Sequence, residues 1–312
     1  MTGWRVVCDV GGTNVRYARC EADGRLTSIV VAPIGEARAL TEVLHTYADQ
    51  FDDVERLSGI AIAAAGPIDG RVVRLTNRDL VIDSDVISSA FGGRPVAVIN
   101  DLEAVAWSLP YLAATDTRPI LPVTAPLTGP RLVVNVGTGF GGALLLEVPG
   151  GWHSVACEPG HMRVSIGPDG TPTSGRADDG PSIEDVLSGA ALKDSHRLAK
   201  YWHSEITTEF IASASDLIAM IASRSGRPSF VQDYSKMLGQ VSGDLVLACG
   251  AWGGVYFCGS VATAWCRIAD LTAFNHAFLA KGPMANRMAR VAVQEIVAPY
   301  PALLGLRAVP LL

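Results

Sequence analysis

At 312 residues the chain is longer than most single hydrophobic cores, so two domains, or two lobes of one enzyme, are expected. Lys and Arg total 25 against 31 Asp and Glu, a formal charge of −6 with no basic run, which argues against a nucleic-acid or anionic-membrane partner and for a small-molecule substrate. The cysteines (Cys8, Cys20, Cys157, Cys249, Cys258, Cys266) form no C-x-x-C pair and several lie in apolar runs, the pattern of reduced thiols in a cytoplasmic protein without structural zinc.

Residues 4–10 predict a strand, entered at once with no secretory leader expected before it. Gly11-Gly12-Thr13-Asn14 predicts a tight turn, residues 15–20 the returning strand and residues 26–31 a third. Strand, glycine turn, strand excludes a Walker A loop, whose G-K-[ST] opens a helix, and also the G-x-G-x-x-G dinucleotide fingerprint. Two readings of the turn stand. It is an ordinary type I′ hairpin using glycine's access to positive φ, or an anion cradle of backbone N–H groups, with Thr13 and Asn14 adding side-chain hydrogen bonds and Asp9 placed to hold Mg²⁺ through water.

Residues 36–57 carry helical periodicity, residues 58–65 form a small-residue buried strand, and residues 71–75 a further strand with Thr76 and Asn77 at its exit. The apolar run ending in Val98-Ile99-Asn100-Asp101 stops on an amide and a carboxylate, ahead of an amphipathic segment over 103–109. This pattern delivers an acid to the rim of a sheet, where it can take a proton from a substrate hydroxyl. Asn100 or Asp101 can also cap the helix beginning near Leu102, and the two roles coexist. The alternation predicts a sheet with helices packed on it.

Residues 110–130 hold five prolines and little periodicity, the best candidate for an interdomain crossing. Beyond them the opening pattern recurs: a strand over 132–136, a glycine turn Gly137-Thr138-Gly139-Phe140-Gly141-Gly142, a return over 143–148, and a further strand over 152–157. Glu158-Pro159-Gly160-His161 follows, a carboxylate and an imidazole across a rigid turn, suited to a polyhydroxyl ligand. Residues 167–181 read as a loop; Ser182 and Asp185 match a helix capping box, which leaves Glu184 available for a ligand. Helical spacing covers 190–201 and 207–247. Residues 245–266 carry no charge and are long enough to span a bilayer, but Gly250, Gly253, Gly254 and Gly259 divide them into a helix end, a strand over 255–258 and a new helix. A helix over 271–280, a strand over 291–296 and a short helix from Pro301 complete the chain.

Taken in order, Asp9-Val10-Gly11-Gly12-Thr13-Asn14, Ile99-Asn100-Asp101, Gly137-Thr138-Gly139-Phe140-Gly141, Glu158-Pro159-Gly160-His161, Glu184-Asp185-Val186-Leu187-Ser188-Gly189 and Gly254-Val255-Tyr256-Phe257-Cys258-Gly259 resemble the motifs of bacterial ATP-dependent glucokinases, in the hexokinase and actin-like ATPase superfamily. The resemblance implies an α/β fold of two ribonuclease-H-like lobes, with a cleft between them that closes over sugar and ATP. Residues 1–109 with 300–312 are expected to form the small lobe and 110–299 the large one. The resemblance implies Asp101 as the base for the sugar 6-hydroxyl, and Asn100, Asp101, Glu158, His161 and Glu184 as sugar-binding. Asp9, Val10, Gly11, Gly12, Thr13 and Asn14, with Gly137, Thr138 and Gly139, match the phosphate turns, and Gly259 with Ser260 lies where adenosine is held. It further implies ATP and Mg²⁺ as cofactors and a homodimer.

Departures bear on specificity. No zinc-binding cysteine cluster follows His161 and no helix-turn-helix precedes residue 4, which argues against a sugar-responsive repressor of the related repressor and sugar-kinase (ROK) family. Residues 167–181 are rich in glycine and proline where the family carries helical sequence, Arg78-Asp79-Leu80 stands in place of an aromatic residue, Ser188-Gly189-Ala190-Ala191 lacks the usual Gly-Pro, and Ser260 replaces a second glycine. Glucose is the expected substrate. Mannose, fructose or an amino sugar, polyphosphate as donor, and a catalytically weak sugar-binding regulator on the same fold are the alternatives.

Overall fold

The computed structural model describes residues 3–12, 14–33, 37–66, 68–75, 80–164, 180–194, 196–197, 202 and 228–311. The chain divides into two compact units, Met1–Leu112 with Ala298–Leu312, and Ala113–Val297.

The first unit opens with β1 (Trp4–Val10), β2 (Asn14–Cys20), β3 (Leu26–Pro33), α1 (Ala37–Ala48) and β4 (Leu57–Ala64). There follow β5 (Ile68–Asp69), β6 (Val72–Arg74), β7 (Val81–Asp83), α2 (Ser84–Ala90), β8 (Val96–Asn100) and α3 (Asp101–Ser108). Five strands pair in the order β3-β2-β1-β4-β8, and β5-β6-β7 form a small sheet of their own. β1, β4 and β8 run parallel, while β2 and β3 are antiparallel. Val6, Cys8 and Val10 of β1 share a core with Leu40, Leu44 and Tyr47, which recur along α1 at the spacing of one helical face.

The second unit contains β9 (Thr117–Leu121), β10 (Arg131–Val136), β11 (Phe140–Val148), β12 (Gly151–Cys157), α4 (Ile183–Leu187), α5 (Gly189–Lys193) and α6 (Pro228–Cys249). It continues through β13 (Val255–Cys258), α7 (Ser260–Trp265), α8 (Leu271–Leu279), α9 (Ala285–Met288) and β14 (Val293–Ile296). Its strand order, β12-β11-β10-β13-β14, repeats that of the first unit with the same parallel and antiparallel senses, and β9 adds an antiparallel edge. The duplication expected from two glycine hairpins thus extends over five strands. Leu132, Val134 and Val136 on one face of β10 share a core with Phe257, Trp265, Phe274 and Met237. Gly239 and Gly243 let α8 approach α6, since a Cβ at either would strike the backbone of Phe274 or Phe278.

The chain ends in α10 (Pro301–Leu306), which belongs to the first unit and packs along α3 so closely that a Cβ at Gly305 would overlap the carbonyl oxygen of Ala104.

Several boundaries differ from expectation. The helix expected over 36–57 ends at Ala48, because Phe51 turns back to pack edge-on against Trp4 and Tyr47. Its apolar spacing serves a turn. Residues 110–130 include β9, in which Pro119 is tolerated because β9 is an edge strand and a missing N–H costs least there. β11 begins at Phe140 rather than at residue 143. The segment expected as helical over 190–201 breaks at Asp194. The uncharged stretch 245–266 resolves into the end of α6, β13 and α7, and no helix among the described residues is long and apolar enough to cross a membrane. Thr13, residues 76–79, most of the loop 167–181 and the helical spacing over 207–227 lie outside the described residues.

Candidate active site

In the first unit, Val10, Ala64 and Asn100 stand side by side at the carboxyl ends of the three parallel strands. The turn after β1 and the acid after β8 therefore lie along one sheet edge, separated by one intervening strand, about 10 Å at ordinary strand spacing. Ligands of open α/β sheets gather at this edge.

Asn100 is the N-cap of α3: its Oδ1 accepts from the backbone N–H of Leu102 (2.8 Å) and Glu103 (3.3 Å), and Glu103 completes a capping box. Asp101 is the first residue of the helix, half-buried, with Oδ1 3.0 Å from the Leu102 N–H. The helix starts one residue earlier than expected, and the cap falls to the amide, while Asp101 Oδ1 shares the Leu102 N–H with it. α10, packed behind α3, holds that helix in place.

Asp9 lies opposite Arg16 in the β1–β2 register, and Arg16 Nη1 reaches Asp9 Oδ2 at 2.9 Å. Burial pushes the Asp9 carboxyl above its ordinary value, and Arg16 pulls against that shift. Arg16 was not singled out in the sequence, although its place opposite Asp9 follows once the hairpin register is written down. Gly11 donates to the Asn14 carbonyl at 3.0 Å, and neither Gly11 nor Gly12 takes positive φ, which removes the type I′ reading. A Cβ at Gly12 would meet no atom within 4 Å.

In the second unit, Gly137, Thr138 and Gly139 turn β10 into β11, again without positive φ. The turn is gripped from two sides. Gly189 and Ala190, at the start of α5, donate backbone N–H groups to the carbonyls of Gly137 (2.8 Å) and Thr138 (2.9 Å). Glu184, in the first turn of α4, accepts from the Phe140 N–H at 2.9 Å, and a Cβ at Gly139 would stand 2.7 Å from that same Oε2. Glu184 is not part of the capping box, as expected, and one of its oxygens serves the turn. The predicted capping box is present, with Asp185 N–H donating to Ser182 Oγ and the Asp185 carboxylate accepting from Ser182.

Glu158 and His161 are exposed and flank the buried Pro159 and Gly160. Gly160 has no room for a side chain beneath the Phe140 carbonyl, and Ile183 donates to the Met162 carbonyl at 2.8 Å. These contacts bring the segment carrying Glu158 and His161 against the start of α4, which carries Glu184. Gly259, at φ 96°, packs against the end of β10, where a Cβ would overlap Val136 and Asn135; Ser260 then opens α7. Within this unit the expected sugar, phosphate and adenosine residues are gathered at one end of β10. Gly189 stood in the sequence as the end of a matching motif and Ala190 as a departure, and nothing there marked either as a brace.

A cavity of about 400 Å³ opens elsewhere, by the start of β10, lined by Arg131, Trp152, Tyr256 and Gln294 among others. None of the expected site residues lines it.

A family model described as Glucokinase matches residues 6–311. A glucokinase of Cupriavidus metallidurans is 32% identical over 310 residues, covering 97% of this chain and 91% of its own. Among solved structures, a glucokinase from an Antarctic psychrotroph superimposes with a TM-score of 0.78 at 24% identity, covering 98% of each chain. A ROK family glucokinase from Streptomyces griseus, in complex with glucose and AMPPNP, gives 0.63 at 20% identity, covering 97% of this chain and 98% of that one. These likenesses carry the actin-like ATPase fold, which the duplicated five-strand order already describes.

Proposed function

This chain belongs to the glucokinase family, and on that premise we propose that it transfers the γ-phosphoryl group of ATP to the 6-hydroxyl of glucose, with Asp101 as general base. The observation that carries the reading is the row Val10, Ala64, Asn100, which puts a carboxylate and a glycine turn on one sheet edge. In the second unit Glu158, His161 and Glu184 orient the sugar hydroxyls, beside a turn that receives phosphate.

Phosphoryl transfer asks little covalent chemistry of a protein beyond in-line positioning and charge neutralisation. Asp101 accepts the hydroxyl proton as the sugar oxygen bonds to the γ-phosphorus, whose bond to the β,γ-bridging oxygen breaks with ADP as the leaving group. Asn100, its Oδ1 committed to the cap, offers its amide to the sugar. The glycine turns after β1 and β10 are the segments assigned to phosphate. Bound Mg²⁺ would supply charge neutralisation on the phosphate oxygens. The donor set suits such an ion, since Asp9 is an oxygen donor with a second carboxylate oxygen besides the one paired with Arg16, and we assign it a water-mediated role.

The test is a coupled assay over glucose, mannose, fructose and amino sugars with ATP or polyphosphate, on wild type and Asp101→Ala. General-base loss should cost about 10² to 10⁴ in kcat, with glucose binding largely kept. A near-normal kcat in Asp101→Ala would falsify the assignment. The resemblance also implies a homodimer, which light scattering checks, and the scattered cysteines point to a reducing, cytoplasmic setting.

A further inference from the structure

We propose that Glu184 is a positioning residue for the phosphate turn as well as a sugar ligand, so that one carboxylate couples the two sites inside the second unit. The inference rests on the kinase reading above. Its ground is the geometry around Gly137, Thr138 and Gly139. Glu184 Oε2 accepts from Phe140, the residue on which the turn closes, at 2.9 Å, and lies against Gly139 with no room for a side chain between them. On the other side Gly189 and Ala190 hold the carbonyls of Gly137 and Thr138. Gly189 itself fits only without a side chain, since a Cβ there would stand 2.7 Å from the Gly137 oxygen.

Both braces belong to one rigid corner. Ser188 is fully buried and caps α5, and Tyr234 of α6 donates to the Leu187 carbonyl at 2.7 Å. The turn's backbone is thus held by α4 and α5, and of the braces named here Glu184 is the one with a second oxygen, Oε1, besides the oxygen on the Phe140 N–H. A sugar hydroxyl on Oε1 restrains the carboxylate that holds Phe140, and by linkage a nucleotide on the turn restrains Glu184 for the sugar.

The experiment is calorimetric titration of each protein with MgAMPPNP in the absence of sugar, and separately with glucose. A residue that serves only the sugar leaves nucleotide affinity untouched when no sugar is present. Glu184→Ala, which removes the acceptor, should weaken MgAMPPNP roughly tenfold without sugar, the scale of a lost charge-assisted hydrogen bond. Glu184→Gln keeps an oxygen for the Phe140 N–H and should hold nucleotide affinity within about threefold while losing glucose affinity. Gly189→Ala presses on the turn from the opposite side, and should weaken nucleotide with glucose affinity retained.

Wild-type nucleotide affinity in Glu184→Ala overturns the proposal, as does an equal loss in Glu184→Gln. Should Glu184→Ala fail to fold, unchanged nucleotide affinity in Gly189→Ala overturns the bracing. If the wild type neither binds MgAMPPNP nor phosphorylates any hexose, the kinase reading fails instead, which is a separate result.

Discussion

The two glycine turns occupy the same place in the same strand order, yet they are held differently. The β1–β2 turn carries a backbone hydrogen bond from Gly11 to the Asn14 carbonyl and is stiffened by the Asp9–Arg16 pair below it. The β10–β11 turn is wedged between α4, α5 and Gly259. Gly139 of the second turn is crowded by the protein's own atoms, with Glu184 Oε2 2.7 Å from the place of its Cβ. Gly12 of the first is not, because nothing stands within 4 Å of its absent Cβ and its φ is ordinary. On the proposed function, a phosphate approaching the backbone would be the reason for glycine there.

The largest expected effect is at the wedge. Gly259→Ala forces an L side chain to φ 96° and into Val136, and should cost about 3 kcal/mol or more of stability, strain and overlap together. Calorimetric unfolding measures it. A melting temperature within about 2 °C of wild type would mean that the second turn is not wedged as described.

Gly12→Ala should behave in the opposite way. With open space at the Cβ, stability is expected to stay within about 0.5 kcal/mol of wild type, while KM for ATP rises about tenfold if phosphate approaches that backbone. Unchanged KM with unchanged stability would return the turn to an ordinary hairpin.

The residues that could be read from sequence are those whose pattern is local. β1, β2, β10 and β13 alternate or run apolar up to a glycine, and the structure has them within a residue or two. Ser182 and Asp185 announce their own cap three residues apart. What failed was non-local. β9 was hidden by prolines that an edge position excuses, and the helix over 36–57 was overextended because Phe51 is apolar for the sake of Trp4. The glycines were identified, but not the crowding at Gly139: the turn takes no positive φ, and only Glu184, distant in sequence, reveals the close neighbour. The committed oxygen of Glu184 had no local signature at all.

The smallest effect sharpens the same contrast, since the first turn has no counterpart to the α4 cap. Ser182→Ala removes the hydroxyl that Asp185 N–H donates to, and should cost about 1 kcal/mol, with a proportionate rise in KM for ATP if α4 holds the turn. Its pH dependence has a definite sign. Burial pushes the Asp185 carboxyl up, but the Ser182 hydrogen bonds and Arg197 outweigh it, and the net shift is downward. A carboxyl with a depressed folded pKa contributes stability that is fully present above its unfolded pKa and is lost as pH falls through the folded value. Wild type should therefore lose stability more steeply than Ser182→Ala below the ordinary aspartate range, about pH 4. Denaturant titrations from neutral pH to the acid limb measure the two slopes, and parallel slopes would remove Ser182 from the account of how α4 is anchored.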